Sequence, residues 1–250
     1  MILDNFSLKG KVAIVTGSNT GLGQGICRAF AEAGALVAGV SRRPSTETAQ
    51  MLGAGFHNII ADLSSSSVAD GIIAQTVNRF GRVDILVNNA GLIKRCDSLD
   101  FSEEDWDSVL NVNLKTAFFL SQSAAKQFIK QGTGGKIINI ASMLSYQGGV
   151  RVPSYTASKS AIRGVTMTLA NEWARYGINV NAIAPGYMAT NNTEALRQDE
   201  ERSADILARI PAGRWGTPAD LEGAAVFLAS EASDYVNGFT LAVDGGWLGR

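Results

Sequence analysis

A tyrosine and a lysine four residues apart, Tyr155 and Lys159, are the pair in this sequence whose types and spacing best suit proton transfer. Side chains at this spacing are neighbours on one face of a helix. A free tyrosine titrates near pH ~10, and a cation held close by favours the phenolate, which predicts a lowered pKa for Tyr155. A phenol tuned in this way can serve as the general acid–base that interconverts an alcohol and a carbonyl compound. The pair alone is weak evidence, because tyrosine and lysine at this spacing are common on solvated helices.

Two further polar residues, Ser142 and Asn113, extend this candidate catalytic set. Ser142 follows the apolar run Lys136–Ile140, so its hydroxyl is expected at the carboxyl edge of a sheet, where it can hydrogen-bond a substrate oxygen. Asn113 interrupts an apolar helical stretch, where its amide needs a buried partner. The predicted catalytic residues are Asn113, Ser142, Tyr155 and Lys159. Ser142 and Tyr155 are also expected to contact the substrate.

The elements that must position these residues follow from an alternation of short apolar runs with helix-length amphipathic stretches. The runs are rich in Val and Ile and almost continuously apolar, which is typical of parallel strands covered on both faces. The predicted strands are Val12–Thr16, Leu36–Ser41, Phe56–Ala61, Val83–Asn88, Lys136–Ile140, Asn179–Ala184 and Thr240–Val243. Helices are predicted near Gly21–Ala33, Val68–Phe80, Glu103–Lys130, Tyr155–Tyr176 and Ala219–Ala229. This alternation predicts one α/β domain over residues 1–250, with a Rossmann-type doubly wound parallel sheet of about seven strands and ligands at their carboxyl ends.

A glycine-rich segment, Thr16–Gly23, joins the first predicted strand to the first predicted helix. Glycines at such a junction permit a tight turn and let backbone N–H groups approach a pyrophosphate at the N-terminus of the helix. A plain turn is the alternative, but the position of the motif favours a dinucleotide site. The residues predicted to contact this cofactor are Gly17, Asn19, Thr20, Gly21, Leu22 and Gly23.

The residues after the second and third predicted strands bear on the choice between NAD(H) and NADP(H). An NAD site usually carries an acidic residue after the second strand to bind the ribose 2′-hydroxyl, whereas arginine accommodates a 2′-phosphate. Ser41 is followed here by Arg42 and Arg43, which favours NADP(H), with a solvated pair of surface charges as the alternative. Asp62 either accepts a hydrogen bond from the adenine amino group or caps the following helix. Ser41, Arg42, Arg43, Asp62 and Leu63 are the predicted cofactor contacts in this region.

Composition and charge argue against several classes of function. With 22 basic and 23 acidic residues and a formal net charge of −1, the chain lacks the basic excess expected of a protein that binds nucleic acid or an anionic membrane. Cys27 and Cys96 have neither CxxC spacing nor histidines nearby, so no metal site is predicted. His57, the only histidine, is predicted to be structural or solvated. No run approaches the roughly 18 apolar residues of a membrane-spanning helix, which predicts a cytoplasmic protein.

In their order along the chain, these residues resemble those of the classical short-chain dehydrogenases/reductases over essentially the full length. The matching positions are Thr16–Gly23, Asn88–Gly91, Asn113, Ser142, Tyr155, Lys159, and Pro185 with Gly186 before a loop that carries Thr190. The resemblance implies further cofactor contacts, made by Asn89, Ala90, Gly91, Tyr155, Lys159, Pro185, Gly186 and Thr190. It also implies that Lys159 binds the nicotinamide ribose and that Asn113 holds a water in a proton relay.

Four longer stretches are similar to members of this family that act on deoxy sugar acids. They are Gly135–Tyr146, Val152–Lys159, Ala184–Asn192 and Arg209–Trp215. The resemblance implies hydride transfer between NAD(P)(H), usually NAD(H), and a secondary alcohol or ketone of the 2-keto-3-deoxygluconate and 2,5-diketo-3-deoxygluconate type, in hexuronate breakdown. The alternatives are a reductase of another carbonyl, such as a 3-oxoacyl group on an acyl carrier protein, and a catalytically silent dinucleotide sensor. The loop Thr190–Arg209 carries mixed charges rather than the basic patch that would favour an acidic carrier protein.

A sugar acid carries a carboxylate, for which the planar fork of arginine is the best-suited partner. Arg95 follows the Asn88–Gly91 turn, and Arg151 lies four residues before Tyr155, so both are candidates by position. Arg151 is favoured because catalytic residues flank its loop on both sides. Lys94 is a weaker candidate because its charge is less directional, and solvation of both arginines is the alternative.

The stretch from Trp106 to Leu120 is apolar almost all round the predicted helix. One face can cover the sheet, and the rest needs another cover. Together with the habit of the family, this pattern predicts a homotetramer packed through the two long helices. The alternative is that other helices of the same domain provide the cover.

Overall fold

One parallel sheet of seven strands forms the centre of the computed structural model, which describes residues 1–250. The strands are β1 Val12–Thr16, β2 Leu36–Ser41, β3 Phe56–Ile60, β4 Ile85–Asn88, β5 Gly135–Ile140, β6 Ile178–Pro185 and β7 Thr240–Val243. Their order is β3-β2-β1-β4-β5-β6-β7, and every neighbouring pair is parallel. The predicted doubly wound α/β sheet is confirmed. The strand order reverses between β1 and β4, which places a ligand crevice at their carboxyl ends.

Nine helices flank the sheet: α1 Gly21–Glu32, α2 Thr46–Leu52, α3 Ala69–Phe80, α4 Glu103–Leu110, α5 Ala117–Gln131, α6 Pro153–Trp173, α7 Glu194–Gln198, α8 Glu200–Arg209 and α9 Pro218–Ala229. No helix is both long and apolar enough to cross a membrane. The predicted helical stretch Glu103–Lys130 contains a π-helical turn, Asn111–Thr116, which the sequence pattern does not predict and which divides the stretch into α4 and α5. The sequence pattern also does not predict α2, α7 and α8. These helices bury only Thr48 and Ile206, so they contribute little to the apolar cover of the sheet.

Both faces of the sheet are covered by helices, as its apolar strands require. Alternate residues of β1 point to opposite faces, so that Ala13 belongs to one apolar cluster and Ile14 to the other. In register, Ile14 aligns with Ala38 of β2 and with Leu86 of β4. Residues of α1 and α9 complete the first cluster, and residues of α3, α5 and α6 complete the second. The carboxyl edge of the sheet lies between these two layers.

Two residues that composition singles out lie in apolar surroundings away from this edge. Cys27 of α1 is buried in the first apolar cluster, and burial raises the pKa of its thiol. His57 lies near the amino end of β3 with its ring edge-on to Phe80, at a centroid distance of 6.2 Å. Both positions are those of packing residues rather than of groups that react at the carboxyl edge.

Candidate active site

The glycine-rich segment after β1 forms a tight cradle at the N-terminus of α1. Gly17 and Gly21 have positive φ angles of 69° and 59°. A Cβ atom on Gly23 would lie 2.1 Å from the carbonyl oxygen of Gly17, so only glycine lets this turn close. Asn89 fastens the cradle to the loop after β4, because its Nδ2 donates to the carbonyl oxygen of Thr16 at 2.8 Å. The cradle therefore presents backbone close to the N-terminus of a helix, as a pyrophosphate site requires.

A cavity of about 280 Å³, here called the catalytic cavity, lies over this cradle at the carboxyl edge of the sheet. The predicted residues that line it are Gly17, Asn19, Thr20, Gly21, Leu22, Asn89, Ala90, Gly91, Ser142, Tyr155, Lys159, Pro185, Gly186 and Thr190. Six lining residues are not predicted by the motifs: Ile140, Ala141, Met188, Asn191, Asn192 and Thr193. All six lie within three residues of Ser142, Gly186 or Thr190 in the sequence, and this closeness is the signal that could have found them. One space thus joins a dinucleotide cradle to candidate catalytic side chains.

A second cavity, of about 380 Å³, extends from the cradle towards the ends of β2 and β3. The predicted residues that line it are Gly17, Asn19, Ser41, Arg42, Asp62, Leu63, Ala90 and Gly91. Arg42 takes part in no ion pair of the structure, whereas Arg43 lies outside the cavity. Asp62 accepts the N–H of Ser64 at 3.0 Å, and this bond holds the pKa of its carboxyl below the usual range. Asp62 therefore stabilises the turn before α3 and also faces the cavity.

Buried hydroxyl groups support the backbone that carries Arg42 and Arg43. Ser45 Oγ lies 2.9 Å from Ser18 Oγ and 3.0 Å from Ser41 Oγ. Ser41 Oγ in turn donates to the carbonyl oxygen of Arg43 at 2.6 Å. These bonds hold the arginine-bearing turn against the cradle. A turn that admits no Cβ, with a cavity on either side of it, fits a bound dinucleotide.

Ser142, Tyr155 and Lys159 converge on the catalytic cavity from the end of β5 and from α6. Ser142 Oγ accepts the N–H of Leu144 at 3.1 Å, and this bond leaves its own proton for an oxygen in the cavity, either that of Tyr155 or that of a substrate. Lys159 is buried, and its Nζ donates to the carbonyl oxygen of Ile140 at 2.5 Å. The same Nζ lies 5.6 Å from the centroid of the Tyr155 ring.

The expectation that Lys159 lowers the pKa of Tyr155 is wrong for this arrangement. Burial raises the pKa of the Tyr155 phenol, while a hydrogen bond with Ser142 and the positive charge of Arg95 oppose that rise. Burial also lowers the pKa of Lys159 to about 8, so its ammonium group persists at neutral pH and is lost only as the pH rises above that value. Besides the Ser142 hydrogen bond, the positive charge that opposes this rise in pKa comes from Arg95, in the loop after β4.

Asn113 lies in the π-helical turn between α4 and α5 and does not line the catalytic cavity. Its Oδ1 accepts the N–H of Leu92 at 2.9 Å, and its Nδ2 donates to the Leu92 carbonyl oxygen at 3.0 Å. Nδ2 also donates to Ser158 Oγ at 3.1 Å. The amide thus has the buried partners that its apolar surroundings demand, and it joins the loop after β4 to α6. Gly23, like Arg43, is a predicted cofactor contact that lines neither cavity, and it acts by closing the cradle.

The basic residues considered for the substrate carboxylate occupy three different places, and none lines the catalytic cavity. Lys94 pairs with Asp105 at 2.8 Å and lines the second cavity. Arg151 is exposed and adopts a φ of 63°. Its backbone carbonyl accepts the N–H of Cys96, whereas its guanidinium makes no hydrogen bond in the structure. Arg95 donates from Nη2 to the carbonyl oxygen of Asn192 at 3.0 Å, and Asn192 does line the cavity. The geometry therefore favours Arg95 over Arg151.

Comparisons with known proteins extend this picture to the whole chain. A family model described as enoyl-(acyl carrier protein) reductase matches residues 17–248. The 2-dehydro-3-deoxy-D-gluconate 5-dehydrogenase of Escherichia coli (strain K12) is 63% identical over 253 residues, which cover 100% of each chain.

Two solved structures show the same fold at high similarity. A crystal structure from Agrobacterium tumefaciens with bound NADP is 54% identical, with a TM-score of 0.94, and covers 98% of this chain and 99% of that one. A gluconate 5-dehydrogenase from Burkholderia cenocepacia J2315, in complex with NADP and tartrate, is 40% identical, with a TM-score of 0.94 and 100% coverage of both chains. The chain therefore belongs to the short-chain dehydrogenase/reductase family, as its motifs predict.

Proposed function

We propose that the protein transfers a hydride between NAD(P)(H) and a deoxy sugar acid, interconverting 2-keto-3-deoxygluconate and 2,5-diketo-3-deoxygluconate in the breakdown of hexuronates. The observation that carries this proposal is a single cavity in which Ser142, Tyr155 and Lys159 face the glycine cradle. The choice of a sugar acid is supported by the name of the E. coli relative, which aligns with the whole chain.

The side chains of the site have distinct tasks in this reaction. The bound nicotinamide supplies or accepts the hydride. The Tyr155 phenol gives a proton to the substrate oxygen during reduction and removes it during oxidation. Ser142 donates a hydrogen bond to the same oxygen, while Lys159, fixed by the Ile140 carbonyl, lies beside the phenol. Asn113 holds the loop after β4 against α6, which keeps Tyr155 and Lys159 in place.

An assay with purified protein, followed at the nicotinamide absorbance, tests the substrate class. We expect turnover of the sugar acid and none of a 3-oxoacyl group on an acyl carrier protein. The opposite preference would favour the carrier-protein alternative, which the description of the matching family model raises. Cofactor binding without turnover of either substrate would favour a dinucleotide sensor. The mixed charges of the loop Thr190–Arg209 support the sugar acid, because an acidic carrier protein calls for a basic patch.

Changing Arg95 to glutamine is expected to raise the KM for the sugar acid about 10- to 100-fold, since a hydrogen bond to a charged group contributes about 1.5–3 kcal/mol. The Arg95 guanidinium is held at the cavity edge by the Asn192 carbonyl, and its other N–H groups remain available to a carboxylate. Steady-state kinetics should show an unchanged KM for a neutral analogue. Arg151→Gln is the matched control and should leave both values unchanged. If the KM for the sugar acid rose only in Arg151→Gln, Arg151 rather than Arg95 would bind the substrate carboxylate.

We propose further that NADP(H) is the preferred cofactor. The A. tumefaciens and B. cenocepacia structures hold NADP, and Arg42 lines the second cavity without an ion pair of its own. Arg42→Ala is expected to raise the KM for NADPH about 10- to 100-fold and to spare NADH, because only the 2′-phosphate is charged there. Arg43→Ala is the matched control, since Arg43 lies outside the cavity. Equal effects of Arg42→Ala on both cofactors would make this arginine a surface charge.

We propose a homotetramer packed through α4, α5 and α6. These helices expose large apolar side chains in the single chain: Trp106 and Phe119 are each 38% exposed, and Met167 is 41% exposed. Apolar surface of this kind favours burial against another copy. Light scattering at micromolar concentration should give four times the mass of one chain, and a monomeric mass would contradict the proposal.

We also propose that residues 1–250 form a single domain and that the protein works in the cytoplasm. A single sheet, from β1 near the start of the chain to β7 near its end, supports the first point. Two unpaired cysteines, Cys27 and Cys96, support the second, because reducing compartments keep thiols free.

A further inference from the structure

A buried tryptophan near the end of the chain, Trp247, lies against segments that adjoin two parts of the lining of the catalytic cavity, Ser142 and Asn191–Thr193. The residue is 4% exposed. Its ring packs edge-on to Tyr187 at a centroid distance of 4.9 Å, and the Arg209 guanidinium lies 4.0 Å from the centroid of a Trp247 ring. The apolar cluster around it is completed by Met143, Ile206 and Ile210.

These contacts link Trp247 to two segments that adjoin the lining of the cavity. On one side, its Nε1–H donates to Gln147 Oε1 at 3.2 Å, and Gln147 belongs to the segment that follows Ser142. On the other side, Ile206 is the only buried residue of α8, so this otherwise polar helix depends on the cluster for its attachment. Helices α7 and α8 directly continue the segment Asn191–Thr193, which lines the catalytic cavity.

We propose that Trp247 is a positioning residue for the substrate: it holds α8 and the segment Ser142–Gln147 at a fixed separation across the substrate side of the cavity. The cofactor cradle is built from β1 and α1, and neither element contributes a residue to the cluster around Trp247. We therefore expect substrate affinity to depend on Trp247 more strongly than cofactor affinity does. The inference rests on the proposed sugar-acid activity for its kinetic readout.

Trp247→Phe keeps an aromatic ring and removes the indole N–H. The KM for the sugar acid is expected to rise about fivefold, the effect of one neutral hydrogen bond. The kcat and the Kd for NADPH from a fluorescence titration should stay unchanged, whereas a general loss of folded protein would lower kcat. Trp173→Phe is the matched control, because Trp173 ends α6 and packs against the second apolar cluster of the sheet.

A variant of Gln147, the acceptor of the Trp247 hydrogen bond, keeps the proposal testable if Trp247→Phe folds poorly. Gln147→Leu removes the acceptor and should raise the KM to the same extent, and the double variant should raise it no further than either single change. Because the two groups act as one unit, additive effects would mean that they act separately and would overturn the proposal.

Hydrogen exchange of the NADP-bound protein gives a readout that does not require turnover. Amides of α8 should lose protection in Trp247→Phe and keep it in Trp173→Phe. The proposal is overturned if the KM for the sugar acid or the protection of α8 is unchanged in Trp247→Phe, or if NADPH affinity falls in the same proportion as substrate affinity. Wild-type protein that does not turn over the sugar acid would refute the proposed function, and hydrogen exchange would then decide the role of Trp247.

Discussion

Replacing Tyr155 by phenylalanine is expected to lower kcat for the sugar acid by about 10²–10⁴-fold, the contribution of a general acid–base group. The change removes one oxygen atom and keeps the ring, so the packing of α6 is retained. The substrate oxygen then has no proton donor in the site other than Ser142. Ser142 keeps its position in the variant because its Oγ accepts the Leu144 N–H. Steady-state kinetics with the sugar acid measure the loss, and a fluorescence titration with NADPH should show near-normal cofactor binding.

Tyr146→Phe is the matched control for this change. The Tyr146 hydroxyl donates to the Thr240 carbonyl at 3.3 Å, and the residue does not line the catalytic cavity. Removing the Tyr146 hydroxyl should leave kcat close to that of the wild type. If Tyr155→Phe kept more than about a tenth of wild-type kcat, proton transfer would belong to another group, since such groups contribute at least 10²-fold.

The pH dependence of the oxidation reaction gives a second readout of the same role. Oxidation requires the phenolate of Tyr155, and burial raises the pKa of this phenol. The wild-type oxidation rate should therefore increase as pH rises above neutrality, because the phenolate becomes more populated. The residual rate of Tyr155→Phe should lack that increase.

The sheet could be predicted from the sequence because its strands carry their own signal. β1 is buried along its whole length, Val12–Thr16, and its apolar run has the same bounds in the sequence as in the structure. Such a run needs no knowledge of its neighbours, since burial on both faces demands apolar residues at every position. Strands whose ends lie at loops, such as β4, differ from the prediction by a residue or two because hydrogen bonding, not composition, defines their bounds.

The π-helical turn and the residue that buries α8 could not be predicted, because both depend on contacts between residues far apart in the sequence. Ile206 of α8 is buried by Trp247, a residue far along the chain. The turn around Asn113 has the composition of an ordinary helix. The side-chain amide of Asn113 forms hydrogen bonds with Leu92 and Ser158. These tertiary contacts occur where the backbone changes from α-helical to π-helical.

The candidate site could be predicted where a motif directly follows a strand, as with Ser142 after β5. The sequence could not show whether Arg95 or Arg151 is better placed to bind the substrate carboxylate, because that depends on which loops meet at the cavity. The spacing of Tyr155 and Lys159 places them on one helix face, but it does not say where the ammonium group points. The backbone carbonyl of Ile140 takes that group, and this acceptor is invisible in the sequence pattern.

The buried ammonium group of Lys159 also makes the stability of the protein depend on pH. Its pKa is about 8 in the folded protein, whereas an exposed lysine in the unfolded chain has a pKa of ~10.4. Below pH 8 both states carry the proton, and above the unfolded pKa neither does. Between these values the unfolded chain holds a proton that the folded protein has lost, so raising the pH through this window favours folding.

The free energy of unfolding of the wild type, relative to that of Lys159→Met, is therefore expected to rise by about 2 kcal/mol between pH 7 and pH 9.5. Urea unfolding at equal protein concentration measures this difference, and other titrating groups cancel because both proteins share them. Lys9→Met, at an exposed position, is the control and should show no such trend. A difference that stays constant across this range would mean that Lys159 remains charged in the folded protein. In that case the ammonium beside Tyr155 would persist, and the chemistry first expected from the spacing of the two residues would hold.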